Sequence, residues 1–241
     1  MGGGIISFLL LLFLINKILI VKNMYTKILV VDDHIMITDF YKNALNYFDE
    51  SIKVVAKNCL KTAHNYLVKY NNEFADLVIL DLSMPSCSEI NMYDGLDLAK
   101  YINVNFPETK IVIISGLLYT LKINEIIKTV NPNALIHKSD ISSWDYFFNA
   151  IKDALNGMKF KSEFIQTCLK DFKNQNFNFD SLDNQIIILI SNGSKTVDIL
   201  NHLPLSLSAI NKRKTKIKEE FNIENGNDED IIREAKNHGL I

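Results

Sequence analysis

Three cysteines, Cys59, Cys87 and Cys168, are all that the 241-residue sequence holds, an odd and widely spaced set with no CxxC pair. That excludes a disulfide framework and points to a reducing compartment. An excess of charge is missing as well: 26 Lys and Arg stand against 28 Asp and Glu, a net charge of −2. No bulk field draws the chain to nucleic acid or membrane, so any basic surface must be local. Proline and glycine number only 4 and 9, so each one bordering an apolar run is informative. The length allows one large domain or two ordinary ones, with a real core.

Long apolar runs are absent after the first 23 residues. Within them, Ile5 to Val21 is apolar except for Ser7, Asn16 and Lys17. As a helix it would be about 26 Å long, short of the roughly 30 Å hydrocarbon core. No small-residue cleavage site follows. A signal anchor, a secretory peptide and translated upstream sequence all fit this stretch. Met24, directly ahead of a strand-like run, is the expected start of a cytoplasmic protein, with membrane contact only if residues 5–21 are a genuine segment.

From Met24 onward strand and helix patterns alternate. Short apolar runs at Ile28 to Val31, Lys53 to Ala56, Leu77 to Leu80, Ile111 to Ile114 and Ala134 to Ile136 read as strands. Helical spacing separates them at Asp39 to Phe48, Leu60 to Tyr70, Asp94 to Val104, Leu121 to Val130, with Trp144 to Leu155 last. Five such units predict an α/β fold with a five-stranded, doubly wound parallel sheet. In such sheets chemistry collects beyond the carboxyl ends of the strands.

Those ends carry Asp32 and Asp33, then Asp81, then Ser115, then Lys138. Three converging carboxylates repel one another unless a cation joins them. Mg²⁺, which takes oxygen ligands and keeps some water, suits Asp33 and Asp81 directly and Asp32 through water. A phosphoryl group bridging the metal would then meet Asp81 as nucleophile and leave an acyl phosphate on it. Lys138 offers a point charge to the phosphoryl oxygens and Ser115 a hydroxyl donor. Gly116 leaves the approach open.

VVDDH (30–34), LVILDLSMP (77–85), VIISG (112–116) and ALIHKSD (134–140) together resemble the receiver domain of two-component response regulators, a flavodoxin-like fold. The resemblance covers residues 25 to about 155. It implies phosphorylation of Asp81 by a sensor histidine kinase, an acidic pair at Asp32 and Asp33, and the Ser83 backbone carbonyl as a further Mg²⁺ ligand. It also gives Ser115 and Lys138 the switch-hydroxyl and lysine roles. Two positions depart from the pattern. Leu135 stands where the family usually places the aromatic residue of its switch. Between Pro85 and Gly95 the chain is longer than usual, lengthening the loop beside Asp81.

Residues 157–180 read as a linker, with a short helix near Glu163 to Phe172 and an Asn-rich tether. Beyond it, residues 181–241 read as all helical: Asp183 to Ser191, Thr196 to His202, Leu207 to about Phe221, and Asp228 to Asn237. A short helix, the Leu203-Pro204-Leu205 turn and a Ser206-capped longer helix describe a helix-turn-helix. The longer helix carries Lys212, Arg213, Lys214, Lys216 and Lys218, with Ile210, Ile217 and Phe221 as its inward face. Asn211, Lys212, Lys214, Thr215 and Lys218 are the expected DNA-facing residues. The stretch resembles the LuxR-type DNA-binding domain of the NarL/FixJ subfamily. The usual Thr-Pro-Arg-Glu-like opening is replaced, on this reading, by Leu182-Asp183-Asn184-Gln185.

The expected organisation is an apolar segment at 1–23, a receiver at 24–156, a linker at 157–180 and a helix-turn-helix domain at 181–241. The expected function is a response regulator transcription factor, not an enzyme, binding double-stranded promoter DNA as a dimer when active. An adaptor working through protein partners, with little DNA binding, is the alternative. A metal-dependent hydrolase fits less well, because such phosphatases generally need an acid two residues after the nucleophile and position 83 is Ser.

Overall fold

The computed structural model describes residues 26–70, 75–175 and 177–241. The segment 5–21 and its alternative readings lie outside these residues. Among the described residues no helix is long and apolar enough to cross a membrane.

Strands β1 (Thr26–Val31), β2 (Ile52–Lys57), β3 (Leu77–Leu80), β4 (Lys110–Ser115) and β5 (Ala134–His137) alternate with helices α1 (Ile35–Phe48), α2 (Leu60–Tyr70), α3 (Gly95–Asn105), α4 (Thr120–Thr129) and α5 (Trp144–Leu155). All pairings are parallel and the order is β2-β1-β3-β4-β5. Both faces are covered, which is why β3 reads as a continuous apolar run rather than an alternation. Leu29, Val31, Val78 and Leu80 pack beneath α2 and α3, while Ile28, Val30, Leu77 and Ile79 pack beneath α1 and α5.

The sheet has a sixth strand that sequence reading did not find. Residues expected in a linker form β6 (Phe160–Lys161), parallel to β5, and then helix α6 (Glu163–Asn174), the helix expected near Glu163 to Phe172. The Phe160 amide donates to the Asn133 carbonyl and the Ser162 amide to that of Leu135. An edge strand with unpaired backbone groups accepts such an addition readily. Two residues are too few to show a periodicity.

The remaining helices are α7 (Ser181–Ser191), α8 (Leu207–Glu220) and α9 (Asp228–Asn237). α7 starts earlier than expected, because Asp180 caps it and exchanges backbone bonds with Asp183 in a capping box. The expected helix Thr196 to His202 is only a 3-10 turn at Asp198–Asn201. Gly193, at φ +85°, ends α7, and Pro204 has no amide with which to carry the turn onward. Ile186, Ile187, Ile199, Ile210, Ile217 and Ile231 form the core of this helical part. Leu121 of α4 joins that same core, fully buried, and its amide donates to the Leu240 carbonyl at 3.0 Å. The two parts of the chain are therefore docked through α4.

Candidate functional site

The carboxyl edge of the sheet brings the expected residues together. Asp81 follows β3 and is only 4% exposed. Its Oδ1 accepts from Ser115 Oγ at 2.7 Å and from the Ser83 amide at 3.1 Å. Lys138 Nζ donates to Asp81 Oδ2 at 2.6 Å and to Asp32 Oδ2 at 3.1 Å, so two carboxylates face each other across one ammonium. Ser83 Oγ lies 3.5 Å from Ser115 Oγ.

Burial pushes the Asp81 carboxyl up, but Lys138, Ser115 and the Ser83 amide together outweigh it and hold it below the ordinary value. Burial likewise lowers the Lys138 ammonium, and the bonds to Asp81 and Asp32 more than restore it, leaving it raised. Both groups are held charged. Tyr41, buried behind them, is pushed up to about 12, chiefly by burial, so its hydroxyl stays protonated.

Asp32, Asp33 and His34 place one ligand atom each within 4.8 Å of one another. Asp33 Oδ1 is buried and receives no aligned hydrogen bond, although His34 Nδ1 is 2.9 Å away. A buried carboxylate oxygen with unused acceptor capacity, beside the Asp32 carboxylate, fits a hard divalent cation. Sequence reading missed three supports of this edge. His34 donates its amide to Asp32 Oδ1, Asn58 bonds the Asp32 carbonyl, and Gly95 packs directly on the Asp81 backbone. They come from three separate segments, so no local pattern connects them.

The basic helix α8 differs from expectation. Lys214, expected to face a groove, is only 8% exposed, and its Nζ donates to Thr196 Oγ1 at 2.8 Å and Asp228 Oδ2 at 2.6 Å. It follows the same inward face as Ile210 and Ile217, a placement that its charge conceals in the sequence. Lys218 donates to the Gly226 carbonyl at 2.6 Å. Arg213 spans Asp180 and Asp183, and Lys216 reaches Asp183. Asn211, Lys212 and Thr215 are exposed.

Residues 28–138 match the family of response regulator receiver domains. No curated protein matches the chain in sequence. Among solved structures, the chain is similar to the RcsB response regulator of Salmonella typhimurium, at 19% identity and a TM-score of 0.64 over 90% of this chain and 99% of that one. It is also similar to RcsB from Salmonella enterica serovar Typhimurium bound to promoter rprA with the phosphomimetic BeF3-, at 18% identity and a TM-score of 0.61, over 88% and 98% of the two chains. The isolated receiver of that protein aligns at 22% identity and a TM-score of 0.52, over 60% of this chain and 99% of that one. At such identities the likeness is one of fold. Residues 28–138 thus combine a match to the receiver family with the parallel α/β fold, and the helices that follow complete the receiver-plus-helical-domain fold of these neighbours.

Proposed function

We propose that the chain is a phosphorylation-controlled transcription regulator that takes a phosphoryl group on Asp81 from a sensor histidine kinase and binds promoter DNA through α8. The observation that carries the first half is the Asp81 pocket, where Ser115, Lys138 and Asp32 converge on one buried carboxylate. Asp81 Oδ attacks the phosphorus of the phosphohistidine, the P–N bond breaks, and the imidazole nitrogen leaves with the electron pair. Lys138 already lies within 2.6 Å of the attacking carboxylate and pairs with the phosphoryl oxygens as charge moves onto them. Ser115 donates to the same group. Asp32, Asp33 and Asp81, with the Ser83 carbonyl, would hold Mg²⁺, which would supply charge neutralisation between carboxylates and phosphoryl oxygens.

The test is the intact mass of the full chain after incubation with Mg²⁺ and acetyl phosphate. One phosphoryl adduct is expected on the wild type and none on Asp81→Asn. An adduct that persists in Asp81→Asn overturns the assignment.

The DNA half rests on the exposed Asn211, Lys212 and Thr215 of a Ser206-capped helix behind a tight turn. One exposed apolar face supports a dimer: the α1/α5 side presents Phe40, Trp144 and Phe48 to solvent. The internal neutralisation of Arg213, Lys214 and Lys216 favours a second reading, an adaptor with little DNA affinity. Salt titration separates the two. Each phosphate neutralised contributes about −0.9 to the slope of log K against log salt, so Lys212→Ala is expected to reduce the slope by about that amount. Lys214→Met is expected to leave the slope unchanged, because its ammonium is committed to Asp228. A wild-type slope near zero would favour the adaptor.

A further inference from the structure

The receiver lacks the aromatic residue that the family resemblance leads one to expect at position 135, where a buried Leu stands. Two residues later, His137 bridges the loop after Ser115 and the start of α6. Its Nε2 lies 3.2 Å from the Gly116 carbonyl, while its Nδ1 lies 2.6 Å from Ser139 Oγ and 3.3 Å from the Ser139 amide. An amide only donates and a carbonyl only accepts, so Nδ1 is the acceptor and Nε2 carries the proton. The ring stacks on Phe164, with centroids 4.3 Å apart and planes 30° apart.

The far side of that stack is clamped too. The Phe164 amide donates to Asp140 Oδ2 at 2.9 Å, and the His137 amide donates to Ser162 Oγ at 3.1 Å. Ser162 is itself buried. From there α6 runs 12 residues, about 18 Å, as one rigid element. Phe164 and Leu169 pack against the receiver core, and Phe172 packs against the core of the helical part. One helix touches both.

We propose that His137 and Phe164 form the relay that carries the phosphorylation state of Asp81 to α6 and so to the helical part, in place of the missing aromatic at 135. The proposal rests on Asp81 being phosphorylated. Ser115 bonds Asp81 directly, and the next carbonyl, that of Gly116, is the one His137 holds. If Ser115 turns to a phosphoryl group, the peptide that follows must shift, and Gly116, lacking a Cβ, lets it do so. The Gly116 carbonyl then moves relative to Nε2, and the ring transmits the movement to the face of Phe164. His137 does not touch Asp81, so it is a positioning residue.

The experiment is hydrogen exchange of the full chain over residues 160–174, with and without Mg²⁺ and acetyl phosphate, beside intact mass on the same samples. In the wild type, loading is expected to change exchange in this segment by about fivefold or more, the usual scale of allosteric coupling. His137→Leu and Phe164→Ala are expected to take up the same adduct with the exchange response largely lost. His137→Gln, whose amide can still donate to Gly116, is expected to retain most of it. A full response in His137→Leu or Phe164→Ala overturns the relay, as does a loaded wild type whose segment 160–174 is unmoved. An adduct absent from the wild type overturns the phosphorylation reading, and the relay with it.

Discussion

Gly95→Ala is expected to destabilise the protein by about 3 kcal/mol and to slow phosphoryl incorporation by about 100-fold. Gly95 opens α3 and is buried against the segment that follows β3. A Cβ there would lie 2.1 Å from the Asp81 carbonyl oxygen and 2.8 Å from the Leu82 Cα. Both are backbone atoms, so no side chain can swing aside. Alanine favours a helix over glycine by about 1 kcal/mol, but that gain is smaller than the strain of moving two segments apart. The atoms that move belong to Asp81, the proposed phosphoacceptor, and a displacement of about 1 Å is enough for a loss of this size. Urea unfolding and time-resolved intact mass would measure the two effects. A variant that unfolds and loads like the wild type would show that the contact is easily relieved.

Replacing both Arg213 and Lys216 by alanine is expected to cost about 3–5 kcal/mol, read by denaturant unfolding of the helical part. Asp183 is fully buried, and both of its oxygens are occupied by these cations at 2.7 and 2.6 Å. Without them it keeps only the Asp180 amide, a single bond for a charge removed from water. Lys214→Met is a useful contrast, because it removes the partner of Asp228, a carboxylate that is about a third exposed and can be hydrated. A double variant no less stable than Lys214→Met would place Asp183 in contact with water and remove the argument. The same pairs bear on the proposed DNA contact: cations committed to Asp183 have little left for phosphates, so on that proposal the sequence-independent contact would fall to the exposed Lys212.

Most of the receiver was legible before any coordinate. The β3 run Leu77 to Leu80 is buried on both faces, which compels an unbroken apolar pattern, and Asp81 follows as a charge that such a strand cannot contain. Strand ends converge by topology, so Asp32, Asp81, Ser115 and Lys138 could be grouped from their positions alone. The helical part was legible from apolar spacing and caps, with Thr196 to His202 shorter than the pattern implied.

Tertiary structure decided what each polar side chain does. Lys214 has the charge of a surface residue, and only its partners Asp228 and Thr196, from other segments, make an inward position tolerable. β6 is two residues long, below the length at which alternation can be read, and it exists because β5 leaves an edge for it. Nothing near His137 in the sequence marks it, and its ring gains a partner only because the fold lays Phe164 of α6 against it. Apolar periodicity is a local property and is written along the chain. Pairing of buried charges and edges is a property of distant segments meeting, and no window of sequence contains both partners.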